Sequence, residues 1–117
     1  MTRQAMLDLR QSATVQQLIS DVGEDAFLML SEALIAEIQN AQQSLPRYLA
    51  DKDWHMLEVD AHAMKSAARS FGAEALADAC LDLEKYGQSS GTDGDAKAIL
   101  NTFDTAAVET LNAIKKL

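Results

Sequence analysis

The sequence predicts an all-α protein: an antiparallel up-and-down four-helix bundle with a short additional N-terminal helix. Three observations carry that prediction. Apolar residues recur at three-and-four spacing along most of the chain, and nowhere do they alternate as a strand requires. Five glycines and one proline in 117 residues leave little material for loops. The long periodic segments are joined by short connections, which makes consecutive helices antiparallel neighbours.

The first element is short. Val15, Leu18, Ile19 and Val22 form one apolar face, and Gly23 ends it. Glu24 and Asp25 then place negative charge in the first turn of a longer helix, where the helix dipole favours it. The stripe of this second helix reads Phe27, Leu30, Leu34, Ile38, Ala41, Leu45 and Tyr48. Pro46 interrupts it, yet the stripe keeps phase, so either a kink or a short restart capped by Ser44 is expected. Asp53 is the expected N-cap of the third helix, whose inward face is Trp54, Leu57, Ala61, Met64, Ala68 and Phe71, with Gly72 as its stop. A fourth helix runs from about Ala73 to Tyr86 with Leu76, Cys80 and Leu83 inward. Gly87 to Gly94 reads as the one clear loop. The fifth helix carries Leu100, Phe103, Ala107, Leu111, Ile114 and Leu117.

The chain has the length of a single domain, residues 1–117, with 1–13 expected as a loosely ordered N-terminal segment. Apolar content of 48% with 24% charged residues is that of a soluble globular protein. No apolar run reaches membrane-spanning length, and Met1-Thr2-Arg3-Gln4 lacks the apolar stretch of a signal peptide, so a cytoplasmic location is expected. A net charge of −8 argues against nucleic acid and against an anionic membrane surface as partners. The single Cys80 excludes an intrachain disulfide and a multi-cysteine zinc site, and on an apolar stripe it reads as a small hydrophobe. Met6, Leu7 and Leu9 are too few to identify a dimerisation helix, so a monomer is expected.

His62 breaks the pattern of its helix. At about 100° per residue it lies roughly 130° from the centre of the apolar stripe, facing solvent. Lys65, Ser66 and Arg69 fall on or beside the same strip of surface. In so acidic a chain this is a local positive island, suited to a group about to receive a phosphoryl. The third and fourth helices turn around Gly72 and Ala73, so level positions sum to about 145 and Glu84 stands at the height of His62. Its carboxylate can accept the Nδ1 proton and leave Nε2 as the nucleophile.

Each feature alone has an ordinary alternative: a surface histidine with a lysine one turn on is common, and Glu84 by itself reads as solvated. His55 lies about 10 Å from His62 along the axis, too far to share an ion. Neither histidine has a Glu three residues before it, since those positions are Lys52 and Val59, so no metal site is expected.

The joint pattern is more specific. His62-x-x-Lys65, Gly72 ten residues after the histidine, then Leu76, Cys80 and Leu83-Glu84 resembles the histidine-containing phosphotransfer (HPt) domain. In that family a histidine carries a phosphoryl group between two receiver-domain aspartates. The upstream layout, Val15 to Gly23 before a long helix, agrees, so the resemblance covers residues 14–115. It implies that His62 is the phosphoacceptor, that Lys65 offsets phosphoryl charge and that Gly72 ends the helix. It places Glu84 where the family often has Gln or another polar residue bonding the ring. Ser66, Arg69, Met64 and Gly72 are the residues expected to meet a docking partner. The family most often has glycine after the lysine; the Lys65-Ser66 step here is similar to that of short stand-alone HPt proteins in bacterial quorum-sensing relays.

The implied function is that of a phosphorelay intermediate between the receiver domains of a hybrid sensor histidine kinase and of a response regulator. No glycine-rich phosphate loop is present, so the chain is expected to be a carrier without an ATP site. It needs no cofactor in this reading, Mg²⁺ belonging to the receiver. The alternative is a helical adaptor that binds partners without chemistry.

Overall fold

The computed structural model describes Leu9 and residues 12–116. Most of the segment 1–13, with Met6 and Leu7, and Leu117 lie outside the described residues, although Leu9 is buried. Five helices follow in order: α1 (Ala13–Val22), α2 (Glu24–Asp51), α3 (Trp54–Ser70), α4 (Glu74–Gln88) and α5 (Ala96–Lys115). Among the described residues there is no strand. α3 packs between α2 and α4, α5 touches both α2 and α4, and α1 lies against α2 and α3. Among the described residues no helix is long and apolar enough to cross a membrane.

Local chemistry explains the helix ends. Ser12 caps α1, its Oγ accepting from the Thr14 and Val15 amides at 3.1 and 3.4 Å. Asp53 caps α3 as expected by accepting from the Met56 amide at 3.2 Å. At the other end of α3, the Ala73 amide donates to the Ala68 carbonyl and the Gly72 amide to the Arg69 carbonyl, at 2.9 and 3.0 Å. That nested pair is a Schellman motif, and it requires the φ of +71° that Gly72 adopts.

α2 runs unbroken through Pro46, so no restart at Ser44 forms. The proline ring removes the donor that the Gln42 carbonyl would otherwise receive. Burial of Ala41 and Leu45 on the same face holds the helix together despite that loss.

The inward face of α2 differs from expectation at one place. Leu30 is exposed, whereas Ser31 is buried and donates its hydroxyl to the Phe27 carbonyl at 2.9 Å. Averaged over the buried positions, the face centres near Phe27 and Leu45; Ser31 is about 40° from that centre and Leu30 about 60°. A satisfied hydroxyl therefore tolerates the inner place while the leucine falls at the rim. Tyr48, also about 60° away, is half-buried for the same reason.

α4 is longer than the sequence suggests. Gly87 and Gln88 are helical, and Gly87 is buried rather than part of the loop. A Cβ at Gly87 would lie 2.9 Å from the Trp54 carbonyl oxygen and 3.1 Å from the Glu58 nitrogen. The glycine serves close helix contact, not a turn. The actual loop starts at Ser89, whose Oγ accepts from the Thr92 and Asp93 amides. In α5, Phe103, Ala107, Leu111 and Ile114 face inward as expected, Leu100 is half-buried, and Thr110 is buried with its hydroxyl on the Ala106 carbonyl at 2.7 Å. Phe27 and Phe71 stack at 5.7 Å between centroids, tying the start of α2 to the end of α3.

Candidate functional site

The site grows out of the α3–α4 contact. Both helices present small buried side chains there, Ala61 and Ala68 on α3, Ala77, Cys80 and Gly87 on α4. Small side chains let the backbones come close, and at Gly87 the α4 backbone lies directly against those of Trp54 and Glu58. One turn before Gly87 stands Glu84, and one turn after Glu58 stands His62. A carboxylate on one helix can thus reach across to a ring on the other.

It does so. Glu84 Oε2 lies 2.8 Å from His62 Nδ1, and Glu84 Oε1 lies 2.6 Å from Lys65 Nζ. The His62 side chain is 60% exposed, that of Lys65 14% and that of Glu84 10%. Burial alone would push the Glu84 carboxyl up, but the hydrogen bonds from Lys65 and His62, with the Lys65 and His62 charges, outweigh it and hold it below the usual range. At neutral pH Glu84 is therefore an ionised group that only accepts. Nδ1 must then be the donor, and the lone pair of the neutral ring sits on Nε2 of an exposed side chain. Among the described residues His55, also exposed, has no such partner.

The expected positive island is smaller than its residues suggest. Lys65 is tucked against Glu84, and its charge is matched by that carboxylate rather than open to solvent. Ser66 and Arg69 are exposed on the same strip, as expected. Met64 is not a surface residue: at 3% exposure it belongs to the core, at the edge of a shallow groove with Glu37, Ser44, Asp60 and Ala63. Its place on the inward stripe forces that outcome. Gly72 is half-buried in the turn beyond Arg69.

Cys80 is fully buried, and burial pushes its thiol up to about 12 against the opposing pull of the Lys65 charge. Thiol labelling of the native protein is therefore expected to be slow and to become fast in denaturant. The Lys65–Glu84 contact and the role of Gly87 were not anticipated from sequence. A glycine one turn after the predicted carboxylate was the available signal, hidden because it begins a run of loop-forming residues.

The Hpt domain family matches residues 25–115 of this chain. Among solved structures, the chain is similar to the crystal structure of histidine-containing phosphotransfer protein B from Pseudomonas aeruginosa PAO1. The two are 21% identical with a TM-score of 0.82, over 91% of this chain and 90% of that one. No curated protein sequence gives a match.

Proposed function

The chain belongs to the Hpt domain family and its function is histidine phosphotransfer in a phosphorelay; from that premise we propose that His62 is the residue that carries the phosphoryl group. The observation that supports this most is the hydrogen bond from Nδ1 to Glu84 on a ring that is otherwise open to solvent. The Nε2 lone pair attacks the phosphorus of a receiver's aspartyl phosphate. The P–O bond breaks, and its electron pair returns to the receiver carboxylate. The ring gains positive charge, which the Glu84 carboxylate offsets at Nδ1. Transfer onward is the reverse step to a second receiver, with no proton moved. Positioning and charge compensation supply most of the acceleration in such a reaction.

In this reading the donor is the receiver of a hybrid sensor histidine kinase and the acceptor that of a response regulator. Mg²⁺ sits in the receiver's acidic pocket, and the chain acts as a cytoplasmic monomeric carrier without its own ATP site or cofactor. Helices α2 to α5 read as the up-and-down four-helix bundle of such carriers, with α1 as the additional helix; the contacts α2–α3, α3–α4, α4–α5 and α5–α2 support that arrangement. The test is incubation with a phosphorylated receiver domain, followed by addition of a second receiver. Acid-labile label should enter the chain and then leave it. A stable complex with no label in the chain would favour the adaptor reading.

Docking can be tested at Ser66, which is exposed one turn beyond His62. A receiver that brings its aspartate to Nε2 must cover this position. Ser66→Tyr should leave stability nearly unchanged, since the side chain faces solvent. It should hold the reacting groups apart and slow transfer by roughly 100-fold, while Ser66→Gly transfers like the parent. Transfer rates and melting temperatures across Gly, Ser and Tyr decide this. Normal transfer by the tyrosine variant would place the docking surface elsewhere.

A further inference from the structure

We propose that Arg69 is a specificity-determining residue: its guanidinium pairs with a carboxylate on the receiver's docking face, at the rim of the reaction pocket. The proposal rests on the reading of His62 as phosphoryl carrier.

Arg69 is exposed and follows His62 by seven residues, so it lies about 20° around α3 and roughly 10 Å further along its axis. A helical side chain covers the turn before its own, which here is the turn of Lys65 and Ser66. A receiver whose aspartate reaches Nε2 covers that turn and meets the guanidinium. Because the aspartate itself stands at His62, the group facing Arg69 belongs to the rim of the pocket, not to its centre.

Charge decides what that group is. Lys65, the other cation on the strip, is held by Glu84 at 2.6 Å and is only 14% exposed. Arg69 has no such partner. The residues three and four positions away are Lys65, Ser66, Gly72 and Ala73, and among the described residues no carboxylate pairs with it. Among those residues it is the uncompensated cation of the histidine's strip, in a chain of net charge −8. Bringing a receiver's acidic pocket to so acidic a chain sets like charge against like. A free arginine inside the contact offsets this by gripping a carboxylate through two parallel hydrogen bonds. An exposed charge at the edge of an interface acts on the encounter and on which partner fits. A receiver with a basic residue at the facing position is repelled.

The test measures transfer over a range of phosphorylated-receiver concentrations, at low and at high salt. At low salt Arg69→Ala should raise the half-saturating concentration roughly two- to fivefold, and Arg69→Glu on the order of tenfold. The rate at saturation should hold, the differences should shrink at high salt, and Arg69→Lys should recover part of the loss. An unchanged half-saturating concentration in Arg69→Glu would overturn the proposal. Phosphoramidate, a small phosphoryl donor with no docking face, should label the parent and Arg69→Glu alike. A matching fall with this donor would also overturn it, because the arginine would then act on the phosphoryl group. Among receivers with one rim carboxylate changed to lysine, one should restore docking to Arg69→Glu and weaken docking to the parent. Restoration by none refutes the pairing.

Arg69 also stands in the last turn of α3, where a cation favours the helix dipole. A role confined to the helix end would lower the melting temperature of Arg69→Ala and leave receiver affinity unmoved, and that pattern rejects the proposal. Equilibrium binding of the unphosphorylated receiver needs no chemistry. If neither donor labels His62 in the parent, the carrier reading fails, while Arg69 is still judged by that binding.

Discussion

His62→Ala is expected to reduce phosphoryl incorporation from a receiver to background while leaving the fold intact. The side chain is 60% exposed, so little packing is lost with it. Glu84 keeps its Lys65 partner at 2.6 Å in the variant, so no buried charge is stranded. Melting temperature should therefore stay within a few degrees of the parent, as for an ordinary surface substitution. His55→Ala should label normally, because His55 has no carboxylate to orient its ring among the described residues. Label that survives His62→Ala and is lost in His55→Ala would move the acceptor to the other histidine.

The second large effect is structural and reaches the site from a distance. Gly87→Val should lower stability by about 1–3 kcal/mol through overpacking, a fall on the order of 10 °C in melting temperature. A Cβ there meets the Trp54 carbonyl at 2.9 Å and the Glu58 nitrogen at 3.1 Å, and neither is a flexible side-chain end. Replacing glycine within a helix recovers roughly half a kilocalorie of intrinsic propensity, too little to reverse the sign. The helices must separate where Glu84 reaches for His62, so the Nδ1 hydrogen bond should weaken together with stability. Thermal melts and ¹⁵N–¹H correlations of the His62 imidazole on the same variant check both halves. An unchanged melting temperature would mean that α3 and α4 have room to spare at this crossing.

Much of the architecture was legible because helix periodicity is a local property. Phe27, Leu34, Ile38 and Leu45 on α2, and Leu57, Ala61, Met64 and Ala68 on α3, are buried as their spacing predicts. Errors fell at the rim of a stripe and at element ends. Leu30 and Ser31 differ by only about 20° in their distance from the centre of the α2 face, so hydrophobicity alone misassigned the inner place. At the end of α4, Gly87 carried two contradictory signals. Glycine preceding a polar run reads as a loop, while glycine facing another helix reads as close contact, and only the position of α3 distinguishes them. Pro46 likewise keeps its place in α2 because packing on one face outweighs a single missing hydrogen bond.

For the site, the sequence by itself determined which residues share a surface. Helical angle put His62 outside the core, and the antiparallel register around Gly72 put Glu84 level with it. Both follow from 3.6 residues per turn and a short connection. What the sequence left open was the pairing of charges. Lys65 lies on the histidine's strip and read as an open cation, yet its ammonium is spent on Glu84. That choice depends on how closely two helices approach, and the approach depends on side-chain volumes at Ala61, Ala68, Cys80 and Gly87 together. Periodicity records direction around one axis; the distance between two axes is a property of the packed pair, and only the tertiary structure decides it.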